Sequence, residues 1–312
     1  MKICKGDIVR SSAQRPTRGC ARVFSIKIGL ILCAAALFNL CSVAASSAAE
    51  LRQAAVVKKS TIADAFVGED LGYQIGFWIF SDLAEGKLSL EKGEGNDYIA
   101  TLSAWTTGFT GWALKYRKDT FVVHMTLSPD GQRFISKTFE KTVDKSGDVR
   151  KGITIFDHKK RLVTWRAWGG GKDERSGSGV IPPDKMIDDP VTAFYNFRYG
   201  VYGPVKEGTR YVIYSFPKGN DVTTINLRMA SRSELEANKG NNTQAAYLAY
   251  AQLDKDLFES KSGNVEILFN KDMLPTEAVA KDILLFGDVR GKLIRMGFGM
   301  GLVKRAGLTQ GR

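Results

Sequence analysis

Short strand patterns separated by turn sequences follow one another along most of this chain. The segment 120–127, TFVVHMTL, is rich in β-branched residues, and Ser128-Pro129-Asp130-Gly131 after it has strong turn chemistry. Strands that recur about every ten residues can bury an apolar face only in a sheet that curls. The predicted fold is therefore mainly β, an antiparallel meander curled into an open barrel or sandwich. The predicted strands are 72–80, 88–92, 98–106, 120–127, 133–143, 152–156, 161–168, 209–216, 222–232, 247–253, 264–270, 277–286 and 291–296.

The segment 182–208 departs from this pattern and predicts one short helix packed on the sheet. Asp188 or Asp189 can cap its first turn, and Pro190 suits the first helical position. Gly200 is typical of a helix end. The helix should join two strand-rich halves and plug or cover the β domain, whereas the glycine-rich stretch 169–179 before it is predicted to be flexible. Residues at helical spacing are Val191, Phe194, Tyr195 and Arg198.

The first 49 residues differ in kind from the rest: a basic stretch is followed by the apolar run 28–40 and then by small residues ending at Ala49. This order is typical of a secretory signal peptide, and we expect cleavage after about Ala49. The alternative is an uncleaved membrane anchor, since 28–49 is roughly long enough to cross a bilayer. All four cysteines lie in this segment, so the exported chain must be held by its core rather than by disulfides.

Beyond the signal peptide, the expected organisation is a lead-in at 50–65, a single β-rich domain at 66–296 and a loose tail at 297–312. The lead-in could be a short helix or irregular. The formal charge of +12 divides equally between the first 49 residues and the rest of the chain. Residues 1–49 contribute seven bases and one acid, and the remainder contributes 38 bases and 32 acids, so each part carries +6. Such an excess usually marks a solvated surface, although it could favour peripheral contact with an anionic membrane. No basic run indicates nucleic-acid binding.

The sequence lacks the residues and motifs that several kinds of functional site require. The exported part contains only two histidines, His124 and His158, and no cysteine, so we expect no zinc or other transition metal. The glycines at 297–301 do not have dinucleotide-binding spacing, and neither a phosphate-binding loop nor a nucleophile elbow occurs. No cofactor is therefore expected.

Carboxylate pairs are the remaining route to acid–base catalysis. Asp184, Asp188 and Asp189 cluster before the predicted helix, and a glycan hydrolase using these aspartates is one alternative function. The competing interpretation is a helix cap with a buried, hydrogen-bonded corner, which explains the same residues without a substrate.

Aromatic side chains provide the other signal. They could line a cavity for one apolar ligand inside a curved sheet, or they could simply fill the core. Both arrangements predict the same alternation along the strands, so the sequence leaves them open. The candidate ligand-binding residues are Trp78, Trp105, Trp112, Phe194, Tyr195, Arg198 and Tyr199.

Several short motifs also occur in a characteristic order, which carries more information than any one of them. They are Phe66-Val67-Gly68-Glu69, Thr107-Gly108, Phe156-Asp157, Asp188-Asp189-Pro190, Tyr195-Asn196-Phe197-Arg198, Leu274-Pro275 and Phe286-Gly287. Over about 66–294 this order resembles the bacterial exported proteins catalogued as domain of unknown function 3108. The resemblance implies a β-rich periplasmic protein and carries over no catalytic residues.

Two functional hypotheses follow besides the hydrolase. The first is non-catalytic binding of a lipid, a lipoprotein or another apolar ligand of the cell envelope. The second is a structural or assembly partner of envelope proteins, recognised through strand edges or an apolar patch.

Overall fold

The structure is a computed structural model that describes residues 60–77, 80–108, 111, 116–216, 222–284 and 286–298. All of these belong to one compact unit, 59–312. The described residues form fourteen strands in one antiparallel sheet. The strands are β1 (Glu69–Phe77), β2 (Phe80–Lys92), β3 (Asp97–Thr106), β4 (Arg117–Leu127), β5 (Phe134–Lys145), β6 (Asp148–Asp157), β7 (Leu162–Gly169), β8 (Lys172–Val180), β9 (Arg210–Ser215), β10 (Thr223–Met229), β11 (Tyr247–Gln252), β12 (Asn264–Phe269), β13 (Pro275–Ile283) and β14 (Gly287–Phe298).

The sheet is a meander whose first and last strands pair with each other. Consecutive strands pair with each other along the whole meander, except that β8 does not pair with β9. These two strands form the edges of the sheet, and β14 pairs with β1. The sheet is therefore not closed, and the opening lies where the segment 181–209 connects β8 to β9. The predicted mainly-β, antiparallel fold with a helix packed on it is confirmed, and every predicted strand overlaps an observed one.

The helix α2 (Pro190–Tyr199) begins and ends where the sequence predicts. Asp189 is its N-cap, Pro190 occupies its first turn, and Gly200 caps its end with a left-handed backbone at φ 87°. The segment before α2 also pairs with the edge strand β9, since Ile187 forms a parallel β-bridge with Tyr214. The segment thus links the two halves of the sheet, as expected.

Two further helices occur among the described residues. The helix α1 (Ile62–Phe66) buries Ile62, Ala63 and Phe66 in the main core. The helix α3 (Arg232–Asn238) starts with a capping box formed by Ser231 and Glu234. The predicted strand 222–232 therefore ends too late: β10 stops at Met229 because the capping box begins a helix. A 3-10 turn, Lys255–Leu257, lies between β11 and β12.

The prediction that 169–179 is flexible is wrong. Residues Lys172–Val180 form β8, which pairs along β7, and Gly169, Gly170 and Gly171 make the turn between the two strands with positive φ angles. A Cβ on Gly169 would lie 2.2 Å from the carbonyl oxygen of Val149. These glycines therefore permit a tight turn rather than disorder.

The core lies between α2 and the face of the sheet that carries Leu71, Leu88, Leu102 and Phe121, called the inner face below. Seven of the ten residues of α2 are buried, so it is an internal element rather than a surface helix. Tyr195, fully buried, packs against Phe134 with ring centroids 6.4 Å apart. Within the described residues, no helix combines the length and apolarity needed to span a membrane.

Candidate ligand-binding site

A buried aspartate fixes the start of α2. The Oδ1 of Asp189 accepts hydrogen bonds from the backbone N–H groups of Val191 (2.9 Å) and Thr192 (3.0 Å). Its Oδ2 accepts from the hydroxyls of Ser136 (2.6 Å) and Thr192. Both carboxylate oxygens are therefore occupied by the helix cap and by β5, which confirms the structural interpretation of this residue.

The neighbouring Asp188 makes the buried corner that this interpretation also predicts. Its Oδ2 accepts hydrogen bonds from Arg133, Tyr202 and Asn196. Burial raises the pKa of Asp188, and the Arg133 charge and these hydrogen bonds act in the opposite direction. Asp184, in contrast, is exposed and paired with Lys185 at 2.9 Å. The three aspartates do not converge on a shared site.

A buried ion pair holds the other end of α2. The guanidinium of Arg198 donates two hydrogen bonds to Glu69 on β1, at 2.8 and 2.7 Å, and a third to the carbonyl oxygen of Met273 at 2.8 Å. It also lies over the ring of Phe66, 4.4 Å from the centroid. Each of its three nitrogens thus donates a hydrogen bond within the protein, so Arg198 positions the helix.

An apolar cavity of about 300 Å³ lies between α2 and the inner face. This volume is at the small end of the roughly 300–1,000 Å³ range of ligand pockets. Val191 and Phe194 form its helical wall, and Leu253, Leu257 and Phe258, around the 3-10 turn, form another. The sheet side includes Ile75, Leu88, Leu102, Phe121, Ile267, Ala278, Ala280, Val289 and Gly291.

A second apolar cavity of about 190 Å³ adjoins the first. The two share wall residues, among them Ile75, Ala104 and Ala280. Trp105 and Phe286 are among the residues that line the second one. Together they form an extended apolar space along β1–β3 and β13–β14.

Few polar groups reach this space. The Tyr73 hydroxyl donates a 3.0 Å hydrogen bond to the carbonyl oxygen of Pro275, and burial raises the pKa of this phenol, so it stays neutral. Arg117 and Asp119 line the second cavity but bind each other, with hydrogen bonds of 2.8 and 2.7 Å. The described walls of both cavities therefore suit an apolar guest.

The predicted site residues are only partly brought together. Phe194 lines the first cavity and Trp105 the second. Tyr195 lies in the core behind the cavity wall, Arg198 is held by Glu69, and the Tyr199 hydroxyl donates to the carbonyl oxygen of Ser60. Trp78 and Trp112 lie outside the described residues.

Sequence reasoning missed the small residues that leave the space open. Ala278 and Ala280 on β13 face it, and so do Gly86 on β2, Ala104 on β3 and Gly291 on β14. Small side chains at alternating, inward positions of neighbouring strands were the available signal. Among the described residues, no group of three or more histidine, cysteine, aspartate or glutamate side chains could hold a metal ion.

Comparison with known proteins adds little to this geometry. No family model matches the sequence, and no curated protein matches it either. The chain is similar to the crystal structure of a beta-barrel-like protein of domain of unknown function DUF1849 from Brucella abortus, at 9% identity and a TM-score of 0.43. The match covers 75% of this chain and 98% of that chain. Membership of domain of unknown function 3108 stays a prediction from the motifs.

Proposed function

We propose that this protein binds an apolar or amphipathic envelope ligand, such as a lipid or the acyl chain of a lipoprotein, without chemical conversion. The observation that carries the proposal is the cavity of about 300 Å³ between α2 and the inner face, with its apolar neighbour. Transfer of an alkyl chain from water into such a space is favourable by about 25 cal/mol per Å² of apolar area removed from water.

The fixed position of α2 supports binding rather than collapse. Its cap at Asp189 and its ion pair at Arg198 hold the helix against β5 and β1, so that Val191 and Phe194 form a stable wall. A preformed cavity spares the ligand the free energy of ordering its own site.

The test is native mass spectrometry of protein purified from the envelope without detergent. The wild type should carry an apolar small molecule, and Ala280→Phe, which places a ring in the space shared by both cavities, should carry much less. Ile294→Phe adds a ring at a side chain that is 62% exposed and should retain the ligand. A ligand bound equally well by Ala280→Phe would place the binding site elsewhere.

The cellular location is part of the proposal. Removal of residues 1–49 and release into the periplasm would expose the protein to envelope lipids, and the basic excess would favour anionic membrane surfaces. Cell fractionation followed by N-terminal sequencing should find a periplasmic chain that begins at Glu50. A chain that retains its first residues in the membrane fraction would instead support the anchor alternative.

A further inference from the structure

A basic groove of about 650 Å³ continues the inner face beyond the apolar cavity. A narrow space of about 70 Å³ lies between them: it shares Phe139 and Leu257 with the cavity, and Lys141 and Gly152 with the groove. The apolar and basic regions are therefore neighbours on one surface.

The strand register explains this arrangement. Leu102 on β3 faces Phe121 on β4, and both line the apolar cavity; Phe121 in turn faces Lys141 on β5. Directly opposite residues of paired strands point to the same face of a sheet. Lys141 is thus the point at which one row of side chains changes from apolar to basic.

The same row continues to the edge of the sheet. Lys141 faces Gly152, Gly152 faces Ala167, and Ala167 faces Arg175 on β8. Three strand spacings separate the two basic residues, about 14 Å along the sheet. Because only a glycine and an alanine stand between them, the floor of the groove is flat and open.

A second row parallel to the first repeats the pattern. Arg150 on β6 faces Gly169, and Gly169 faces Lys172. The β11–β12 connection supplies the opposite wall with Lys255 and Lys261. Basic side chains therefore surround the floor from both walls.

The acidic residues of the groove do not balance this charge. Among the described residues, its lining contains seven lysines and arginines against three acidic residues. One of the acids, Glu259, is bound by Arg117 at 2.7 Å and lies 3.6 Å from Lys145, neither of which lines the groove. Burial acts to raise the pKa of Glu259, but these cations lower it overall. Among the described residues, Lys172, Arg175 and Lys255 have no acidic partner within ion-pair distance.

Two hydrogen-bond donors at the groove also lack acceptors within the described part of the chain. They are the buried indole N–H of Trp165, in the narrow connecting space, and the buried Nε of Arg150. A buried donor without a partner is costly, and a ligand oxygen would satisfy it.

We propose that the ligand is a single-chain amphiphile with an anionic head, such as a carboxylate or phosphate. The inference rests on the proposed binding function and adds the chemical class of the ligand. The alkyl chain occupies the apolar cavity, and the head lies in the basic groove near Gly152. Trp165 donates to an oxygen at the junction between chain and head.

The test compares three probes that share one alkyl chain: palmitate, monopalmitoylglycerol and hexadecyltrimethylammonium, each below its micelle concentration. Inorganic phosphate serves as a free anion. Trp105 and Trp165 lie in the walls, so intrinsic fluorescence can follow the titrations. The wild type should bind palmitate at least roughly tenfold more tightly than the uncharged probe, as charge-assisted hydrogen bonds predict.

Gly152→Glu places an acid on the floor of the groove, where an added Cβ meets nothing closer than 3.7 Å. It should lose about tenfold in palmitate affinity and keep its affinity for monopalmitoylglycerol, whereas Gly152→Gln, of the same size, should retain most of the preference. Should Gly152→Glu fail to fold, Lys172→Glu with Arg175→Glu on the exposed strand β8 makes the same test.

The outcomes separate the two proposals. Equal binding of all three probes, unaffected by Gly152→Glu, would overturn the anionic head while leaving apolar binding intact. Phosphate binding as tight as that of palmitate would show an anion site unrelated to an amphiphile. Failure of every amphiphile to bind would overturn the proposed function itself.

Discussion

Arg198 holds four parts of the chain together through one side chain. It sits on α2, pairs with Glu69 on β1, donates to Met273 before β13, and covers Phe66 of α1. Its side chain is 1% exposed and that of Glu69 3%. Buried charges of this kind are tolerated only when fully paired.

We predict that Arg198→Met lowers the free energy of unfolding by about 3–5 kcal/mol, because it leaves the Glu69 carboxylate buried without its partner. The double variant Arg198→Met with Glu69→Leu should recover much of the loss, since no charge then remains buried. Chemical denaturation of the wild type and of these two variants measures the loss and its recovery.

The matched control is the surface pair of Arg295 and Asp70, whose side chains are 59% and 31% exposed. Arg295→Met should change the free energy of unfolding by no more than about 1 kcal/mol. An Arg198→Met effect of that size would mean that the buried pair does not hold α2.

At the scale of elements, local sequence signals predict the structure where the residues themselves impose it. Asp189, Pro190 and Gly200 specify the ends of α2 by short-range hydrogen bonding and backbone geometry, and the sequence predicts them. The β8 strand was missed because Ser176, Gly177 and neighbouring residues have low strand propensity. Its strand conformation depends on pairing with β7, which sequence patterns do not show.

The β7–β8 turn provides a matched test of two glycines. Gly169 (φ 89°) has the Val149 carbonyl oxygen in the place of a Cβ, whereas Gly171 (φ 63°) has nothing within 4 Å. Gly171→Ala should cost about 1 kcal/mol of stability for its left-handed backbone, and Gly169→Ala at least about 3 kcal/mol. Thermal or urea unfolding measures both. Equal, small effects would restore the interpretation of this stretch as flexible.

The helix α3 should respond to acid. Hydrogen bonds from Arg228 and from the backbone of Ser231 lower the pKa of Glu234 from its ordinary 4.5 to about 2. A depressed carboxylate pKa stabilises the folded helix above pH 4.5, and this contribution is lost as the pH falls towards 2. Amide hydrogen exchange, corrected for intrinsic rates, should show α3 losing protection in this window.

The control is amide hydrogen exchange of the Glu234→Gln variant. Its helix α3 should show reduced protection at neutral pH and little change in protection between pH 4.5 and 2. Glu236→Gln leaves the capping box intact and should behave like the wild type in this window, apart from its surface pairs with Arg232 and Lys239. Protection of α3 that is independent of pH in the wild type would show that Glu234 does not stabilise the helix.

At the scale of the whole molecule, the sequence predicts the sheet but not the space inside it. The alternation of side chains along β3 and β4 indicates an inner face that carries Leu102 and Phe121. The same alternation would occur if the core were filled. The cavity exists because Ala278, Ala280 and Gly291, which line it on the sheet side opposite α2, have small side chains or none. The basic groove depends on register across four strands, which no local pattern encodes.

The most direct test of a ligand-binding interior is a crystal structure of the protein with a fatty acid brominated at the end of its chain, located by anomalous scattering. The bromine should lie within the apolar space bounded by Phe194, Ile75 and Ala280, with the carboxylate towards Gly152 and Lys141. A bromine found on the outer surface, or an interior filled by side chains with no bound chain, would contradict a binding role for the cavity.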